Sequence, residues 1–266
     1  MFIINQLNPR RCKMFRNAIV RTPCENMVNG ITNAKLGAPV HKKALAQHEK
    51  YIEALISCGV SVTVLEADND FPDSTFIEDT ALLTPHCAII ANPGAAARKG
   101  ETKKVEEVLK DFYKNFEYVK EPDTVEPGDI MMVGEHFYIG LSKRTNKSGA
   151  EKTISILKKY GMTGSVVTLE KVLHLKTGMS YLEHNNLVVA GEFIEKPDLQ
   201  KFNLLKVDAD ESYAGNCIWV NDKVLVPAGF PKIRKKIENA GYETIALDMS
   251  EFRKLDGGLS CLSLRF

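Results

Sequence analysis

The sequence lacks most of the features that would place it in a specialised class. Its 266 residues carry 35 Lys and Arg against 34 Asp and Glu, a formal net charge of +1. No bulk field therefore draws it to nucleic acid or to an anionic membrane. No run approaches the roughly 18 continuous apolar residues of a membrane span. The start, M-F-I-I-N-Q-L-N-P-R-R, lacks the apolar stretch of a signal peptide. Six cysteines (Cys12, Cys24, Cys58, Cys87, Cys217 and Cys261) are scattered without a C-x-x-C pair, which argues against a disulfide framework or a structural zinc site. A glycine-rich phosphate loop, an H-E-x-x-H motif and any metal-ligand cluster are also missing. These absences predict a cytoplasmic protein with reduced thiols; a small charged substrate is not excluded, because a site can be charged while the surface is balanced. An apolar content of 44% in a chain of this length suffices for a sizeable core, in one large domain or two small ones.

What is present is a pattern that returns about every 45 residues. A short β-rich run is followed by a Gly, Pro or Asn gap, an amphipathic helix and another β-rich run. The first unit runs from Ala18-Ile19-Val20 through a helix near 40–57 to Val60–Leu65, with Ala44, Leu45, His48, Tyr51, Ile52 and Leu55 on one stripe. The second has strands at Ala81–Leu83 and Cys87–Ala91, a helix near 98–112 and Phe116–Val119. The third has Ile130–Val133, a hairpin turn at Gly134-Glu135-His136, Phe137–Leu141, a helix near 147–160 and Val166–Leu169. The fourth has Ser180–Leu182, Leu187–Ala190, a short helix near 196–202 and Leu204–Val207. The fifth has Cys217–Val220, an Asn221-Asp222 turn, Val224–Pro227, a helix near 231–240 and Thr244–Leu247, and a last strand over Leu259–Leu264 closes the chain. No linker divides the chain, so one α/β domain over 1–266 with helices outside is expected. Periodicity alone leaves a ring and an open sheet both available. The junctions between units are polar, and in a ring they would converge on one centre.

Those junctions hold the chemistry. Cys261 follows Asp256-Gly257-Gly258. A buried cysteine usually behaves as a small hydrophobe, but paired glycines permit a bend or a close approach, and a thiol becomes a nucleophile beside a base or cation. His174, in L-H-L-K-T-G, is the histidine at such a junction. Glu126 opens E-P-G-D, a tight turn by its Pro and Gly. Asp73, Glu78 and Asp79 lie within seven residues, interleaved with Phe71, Phe76 and Ile77. Carboxylates beside aromatic rings suit a planar cation such as a guanidinium. Arg98 and Arg144 remain; Arg144, just after the strand Phe137–Leu141, can clamp a carboxylate, and spacing does not decide between that and a solvated side chain.

Taken together and in order, F-P-D-S-T-F-I-E-D, S-K-R-T-N, L-H-L-K and D-G-G-L-S-C resemble the dimethylarginine dimethylaminohydrolases (dimethylargininases) of the guanidine-modifying, or pentein, superfamily, to which arginine deiminase also belongs. The resemblance spans Val20-Arg21 to Cys261. It implies a fivefold pseudo-symmetric α/β propeller of ββαβ units with the active site on the central axis. The implied reaction is cofactor-free hydrolysis of C–N bonds in Nω-methylated L-arginine, giving L-citrulline and an amine. By position, Cys261 would be the nucleophile, His174 the general acid/base and Glu126 the acidic partner. Asp79 would bind the guanidinium, Asp73 the α-amino group, and Arg98 and Arg144 the α-carboxylate. Phe76 would pack beside the substrate, Glu78 would support the site, Asp256 would lie in the nucleophile loop, and Cys24–Thr32 would form a lid with Ile31 in contact. The family implies a monomer or homodimer. Arginine deiminase or citrulline hydrolase chemistry, or a non-catalytic protein that binds modified arginine, are the alternatives. The absence of an inserted helical domain between the second and third units weighs against a deiminase.

Overall fold

The five predicted units appear as five three-stranded sheets in the computed structural model, which describes residues 15–266. Cys12 and the N-terminal stretch read above lie outside the described residues. Four sheets follow chain order: Ala81–Leu83, Ala88–Ile90 and Phe116–Tyr118; then Ile130–Val133, His136–Leu141 and Thr163–Thr168; then Met179–Tyr181, Asn186–Val189 and Asn203–Lys206; then Ile218–Val220, Lys223–Pro227 and Glu243–Leu247. In each, the first strand runs antiparallel to the second and the second pairs in parallel with the third. The remaining sheet joins both ends of the chain. Asn17–Arg21 pairs in parallel with Ser61–Leu65 and antiparallel with the C-terminal strand Leu264–Arg265. First strands of neighbouring sheets pack on one another, and five buried apolar clusters fill the space around them. The architecture is the expected α/β propeller.

A parallel strand pair needs a crossover. Helices α1 (His41–Ser57), α2 (Thr102–Leu109), α3 (Lys147–Lys159) and α4 (Pro231–Asn239) supply four of them. Their starts follow local chemistry. Asn146 caps α3 by accepting the Gly149 N–H at 2.7 Å. The Glu211 carboxylate accepts from Lys232 and Ile233 at the start of α4, where Pro231 needs no donor partner. In α1 the buried face is Ala44, Gln47, His48, Tyr51, Ala54 and Leu55, so Leu45, expected inside, is exposed.

Three expectations are corrected. The fourth crossover has no helix near 196–202, only 3-10 turns at Gly191–Phe193 and Pro197–Leu199. Gly191 at φ 54 and Pro197, which has no N–H, interrupt any longer helical ladder. The helix expected near 98–112 begins as a 3-10 turn over Ala96–Glu101. The apolar run Leu259–Leu264 is not one strand: Ser260–Leu262 is a 3-10 turn and only Leu264–Arg265 pairs. Ser260 donates its N–H to Asn216 Oδ1 at 3.0 Å, and Cys261 donates to the Gly258 carbonyl at 3.3 Å. Those bonds turn the chain where hydropathy alone suggested extension. A short helix α5 (Ser250–Arg253) was not foreseen.

A 3-10 turn precedes the first strand of each sheet, at Ile77–Thr80, Pro127–Asp129, Leu175–Thr177, Ala209–Gly215 and Ser260–Leu262. Ser260–Leu262 packs on Ile77–Thr80, that turn on Pro127–Asp129, and so on to Ala209–Gly215. The Asn216–Ser260 bonds complete the circuit. Buried Tyr51 ties α1 to this arrangement, its hydroxyl lying 2.9 Å from the Leu259 carbonyl and 2.7 Å from Ser263 Oγ. Tyr51→Phe leaves both without that partner in a dry site. It should lower the unfolding free energy by about 1–3 kcal/mol in urea titration, and an unchanged midpoint would show that the bonds are dispensable.

Candidate active site

The turn circuit closes around a cavity of about 40 Å³ lined by Ile31, Asp73, Phe76, Asp79, Arg98, Glu126, Arg144, Leu173, His174, Leu255, Asp256, Gly257 and Cys261. Ten of the eleven residues singled out in the sequence therefore meet at one place. Glu78 is the exception. Its carboxylate turns away to Lys176 Nζ at 2.6 Å and accepts the Ser260 hydroxyl at 2.9 Å. Successive side chains of the Ile77–Thr80 turn lie about a third of a turn apart, which sends the two neighbouring carboxylates to different sides.

Glu126 stands just before Pro127–Asp129 and is fully buried. His174 stands just before Leu175–Thr177, its N–H donated to Thr177 Oγ. The two side chains meet with Nε2 2.7 Å from Glu126 Oε2. Glu126 Oε1 accepts the Ala95 N–H at 3.2 Å and faces Arg144 Nη1 at 3.4 Å. Gly128 packs so close that a Cβ there would sit 2.8 Å from Asp79 Oδ1 and 2.9 Å from His174 Nδ1. Glycine is thus required by proximity. Burial pushes the His174 imidazolium down, but Asp79, the Glu126 hydrogen bond and Asp129 outweigh it and raise the value to about 9. Asp79 is also buried. Its hold below the usual carboxylate range comes, against that burial, from His174, Arg98 and the Gly128 N–H.

Arg98 donates Nε and one Nη2–H to Glu101, the other Nη2–H to the Phe76 carbonyl, and one Nη1–H to Asp79 Oδ2 at 2.6 Å. One N–H remains for a ligand. Asp73 accepts the Ile31 N–H on both oxygens at 3.1 Å. Burial raises Asp73 above the usual carboxylate range, partly offset by Arg98 and that N–H. Asp256, at φ 58, accepts the Asn33 N–H at 2.6 Å. The segment from Gly30 onward is therefore pinned over the cavity by two carboxylates.

Cys261 is half-buried, whereas the other described cysteines are buried, and all are free. The neighbouring glycines serve close packing: a Cβ on Gly257 would sit 2.2 Å from the Phe76 ring, and one on Gly258 2.5 Å from the Asn216 side chain. Burial first, then Glu78 and Asp79, push the thiol up to about 12 against the Gly258 N–H and the Ser260 hydroxyl. At neutral pH the resting site holds a thiol and an imidazolium. Asp79, Glu126 and His174 offer oxygen and nitrogen atoms within 4.8 Å of one another. That set could meet a cation, but Arg98 and His174 already bring positive charge to the two carboxylates.

Sequence reasoning missed the residues that hold the others. Glu101 fixes Arg98, and its position three residues on, at helical spacing, was the available signal. Asp129, fully buried, accepts the Leu175 N–H at 3.0 Å and the Ser142 hydroxyl at 2.6 Å. Leu173 and Leu255 line the cavity beside His174 and Asp256, and nothing in their type marks them.

Fold and site together define an α/β propeller with a thiol, an imidazole and paired carboxylates at its axis. Residues 22–262 match the family model described as N,N dimethylarginine dimethylhydrolase, eukaryotic, and the chain belongs to that family. It is 56% identical over 254 residues, 95% of its length and all of the relative, to N(G),N(G)-dimethylarginine dimethylaminohydrolase of Pseudomonas aeruginosa. A crystal structure of a cysteine-to-serine variant of that P. aeruginosa protein, complexed with citrulline, superimposes with a TM-score of 0.94 over 95% of this chain and 100% of the other. The N-terminal domain of a cyanobacterial arginine dihydrolase shares the fold, with a TM-score of 0.85 at 17% identity over 94% of this chain and 96% of that one.

Because His174 titrates higher folded than its ordinary 6.5, its protonation stabilises the fold. That contribution is complete below about 6.5 and fades as pH rises to about 9. Glu126→Gln keeps an acceptor but removes the charge. It should lower the imidazole midpoint in an NMR titration and flatten the decline of unfolding free energy over that window. A midpoint still at 9 would mean that Glu126 does not hold the proton.

Proposed function

We propose that the chain hydrolyses Nω,Nω-dimethyl-L-arginine and Nω-monomethyl-L-arginine to L-citrulline and dimethylamine or methylamine. The observation that carries this reading is the convergence of a half-buried thiol, the His174–Glu126 pair and the Asp79 carboxylate on one cavity. Asp79 keeps lone pairs for guanidinium N–H groups beyond those used by Arg98 and Gly128. Phe76 packs against the planar cation. Arg144 and the last N–H of Arg98 hold the α-carboxylate. The substrate α-amino group replaces the Ile31 N–H on Asp73.

The cavity as it stands, about 40 Å³, has room for a few water molecules rather than a whole dimethylarginine, so on this reading the segment around Ile31 lifts for entry. Few bonds resist that: Ile31 to Asp73, Asn33 to Asp256, and Thr32 to the Lys254 carbonyl.

The arriving cation supplies the positive charge that the thiol lacks in the resting site. Its proton leaves to solvent, and Cys261 Sγ attacks the guanidinium carbon. Carboxylates that keep the guanidinium cationic keep that carbon electron-poor. The C–N bond breaks as His174 gives its proton to the departing amine, leaving an S-alkylthiouronium on Cys261. Neutral His174 then takes a proton from water as its oxygen attacks the same carbon. The C–S bond breaks, and citrulline and the thiol are restored. Glu126 orients the imidazole and stabilises its charged form. We place this chemistry in a single domain over 1–266, acting in the cytoplasm as a monomer or homodimer. The free thiols fit a reducing compartment. Among the described residues no helix is long and apolar enough to cross a membrane.

The test is steady-state turnover over dimethylarginine, monomethylarginine, arginine and citrulline, with citrulline, ornithine, ammonia and dimethylamine all measured. Citrulline and dimethylamine should form in equal amounts. Cys261→Ser should lose at least about a thousandfold of that rate, the scale seen when a covalent nucleophile is removed. Full turnover in the serine variant, or faster release of ornithine or ammonia, would overturn the assignment.

A further inference from the structure

We propose that Lys176 is a positioning residue for the nucleophile: its ion pair with Glu78 holds the Ser260–Cys261 turn and cancels the carboxylate charge that otherwise faces Cys261 from behind the cavity. The inference rests on Cys261 being the nucleophile. Three of the five central turns are joined by this one chain of contacts. Lys176 lies two residues after His174, Glu78 immediately before Asp79, and Ser260 immediately before Cys261. Lys176 Nζ meets Glu78 Oε1 at 2.6 Å, and Glu78 Oε2 accepts the Ser260 hydroxyl at 2.9 Å. Asn216 holds Ser260 from the other side, accepting its N–H and donating to its Oγ, both at 3.0 Å. The Glu78 and Lys176 side chains are 5% and 18% exposed. Both face a second cavity of about 150 Å³ that Cys261 does not line, so neither is placed to touch substrate.

The charge pattern around Cys261 makes Lys176 necessary. Glu78 and Asp79 face it from the Ile77–Thr80 turn and Tyr213 from the Ala209–Gly215 turn. Asp73, Arg98, Glu126, Arg144, His174 and Asp256 share its cavity. Each cation in that cavity already has a carboxylate: Arg98 has Asp79 and Glu101, while Arg144 and His174 share Glu126. Glu78 is left to Lys176, its ion-pair partner. The Ser260 hydroxyl that Glu78 accepts lies 4.0 Å from Cys261 Sγ, and an unpaired carboxylate there would disfavour the thiolate that attack requires.

The experiment is the second-order rate of Cys261 alkylation by iodoacetamide at pH 8, located by peptide mass spectrometry. Far below a thiol's own value this rate follows the thiolate fraction. Lys176→Met should slow it about tenfold, corresponding to one pKa unit. Glu78→Gln, which leaves the lysine charge unpaired, should speed it by a similar factor. The double variant should return to within about threefold of the parent, because the local charge is again balanced. Lys176→Arg should behave as the parent. An unchanged rate in Lys176→Met, or a double variant as slow as Lys176→Met, would overturn the proposal. If Lys176→Met does not fold, Glu78→Gln decides alone, and no acceleration there would overturn it. A purely packing role for the pair would slow the single and double variants alike. Alkylation needs no substrate, so a failed dimethylarginine assay leaves this result standing, and a failed charge series leaves the citrulline assay standing.

Discussion

Two residue pairs, Ala18 with Arg265 and Ile19 with Leu264, connect the ends of the chain in one sheet. Four sheets are built from consecutive sequence and could stack as an open row. The fifth exists only if the C-terminal strand returns to lie against Asn17–Arg21. That return covers the edge that Asn17–Arg21 would otherwise leave unpaired, and it brings the last turn, Ser260–Leu262, against Ile77–Thr80. Cys261 thus reaches the centre because the chain closes there. The sixth residue from the end of the sequence, Cys261, is, in the folded ring, flanked on both sides by turns like its own. Tyr51 reinforces the same closure from the outer helix, reaching Leu259 and Ser263 on either side of the turn.

Closure concentrates charge. Asp73, Asp79, Glu78, Glu101, Glu126 and Asp129 are all buried near the axis, and burying a carboxylate alone costs several kcal/mol. The structure answers with matched partners and backbone donors. Arg98 lies between Asp79 and Glu101, His174 and Arg144 share Glu126, and Lys176 meets Glu78. Asp129 takes an amide and a hydroxyl, and Asp73 takes the Ile31 amide. Asp73 is therefore satisfied by the backbone of the segment that covers the cavity, the amide that the substrate ammonium replaces in the function proposed above.

Much of this was legible in the sequence. Helical stripes and β-rich runs located the five units, because amphipathic periodicity is a local property of an outer helix or a half-buried strand. The polar junctions identified the site, since a ring brings equivalent junctions together. Legibility failed where a non-local hydrogen bond decided the backbone. Leu259–Leu264 has the composition of a strand, but Asn216, more than forty residues earlier in the sequence, bends it into a turn. It failed at the fourth crossover, where Gly191 and Pro197 broke an apparent helix. For Glu78 the sequence indicated a supporting place but not its partners: Asp79 faces the cavity and Glu78 faces Lys176 and Ser260, a difference set by the pitch of a 3-10 turn. Supporting residues such as Glu101 and Asp129 carry no mark in composition, since their importance lies in what they touch.

The protonation states of the resting site follow from the same arrangement. Burial most of all, then Glu78 and Asp79, raise Cys261 to about 12, and Asp79 is also first among the groups that raise His174 to about 9 against its burial. One negative field thus stabilises the imidazolium and suppresses the thiolate. For most substrates that would be a dead combination, because a protonated histidine cannot remove the thiol's proton. In the reaction proposed above, a cationic substrate changes the balance: its guanidinium adds positive charge beside Asp79, which favours the thiolate, while the Glu126 partner keeps His174 charged until an amine leaves. On that proposal the acid is in place before it is needed, and a neutral ureido compound such as citrulline brings no charge to trigger the attack.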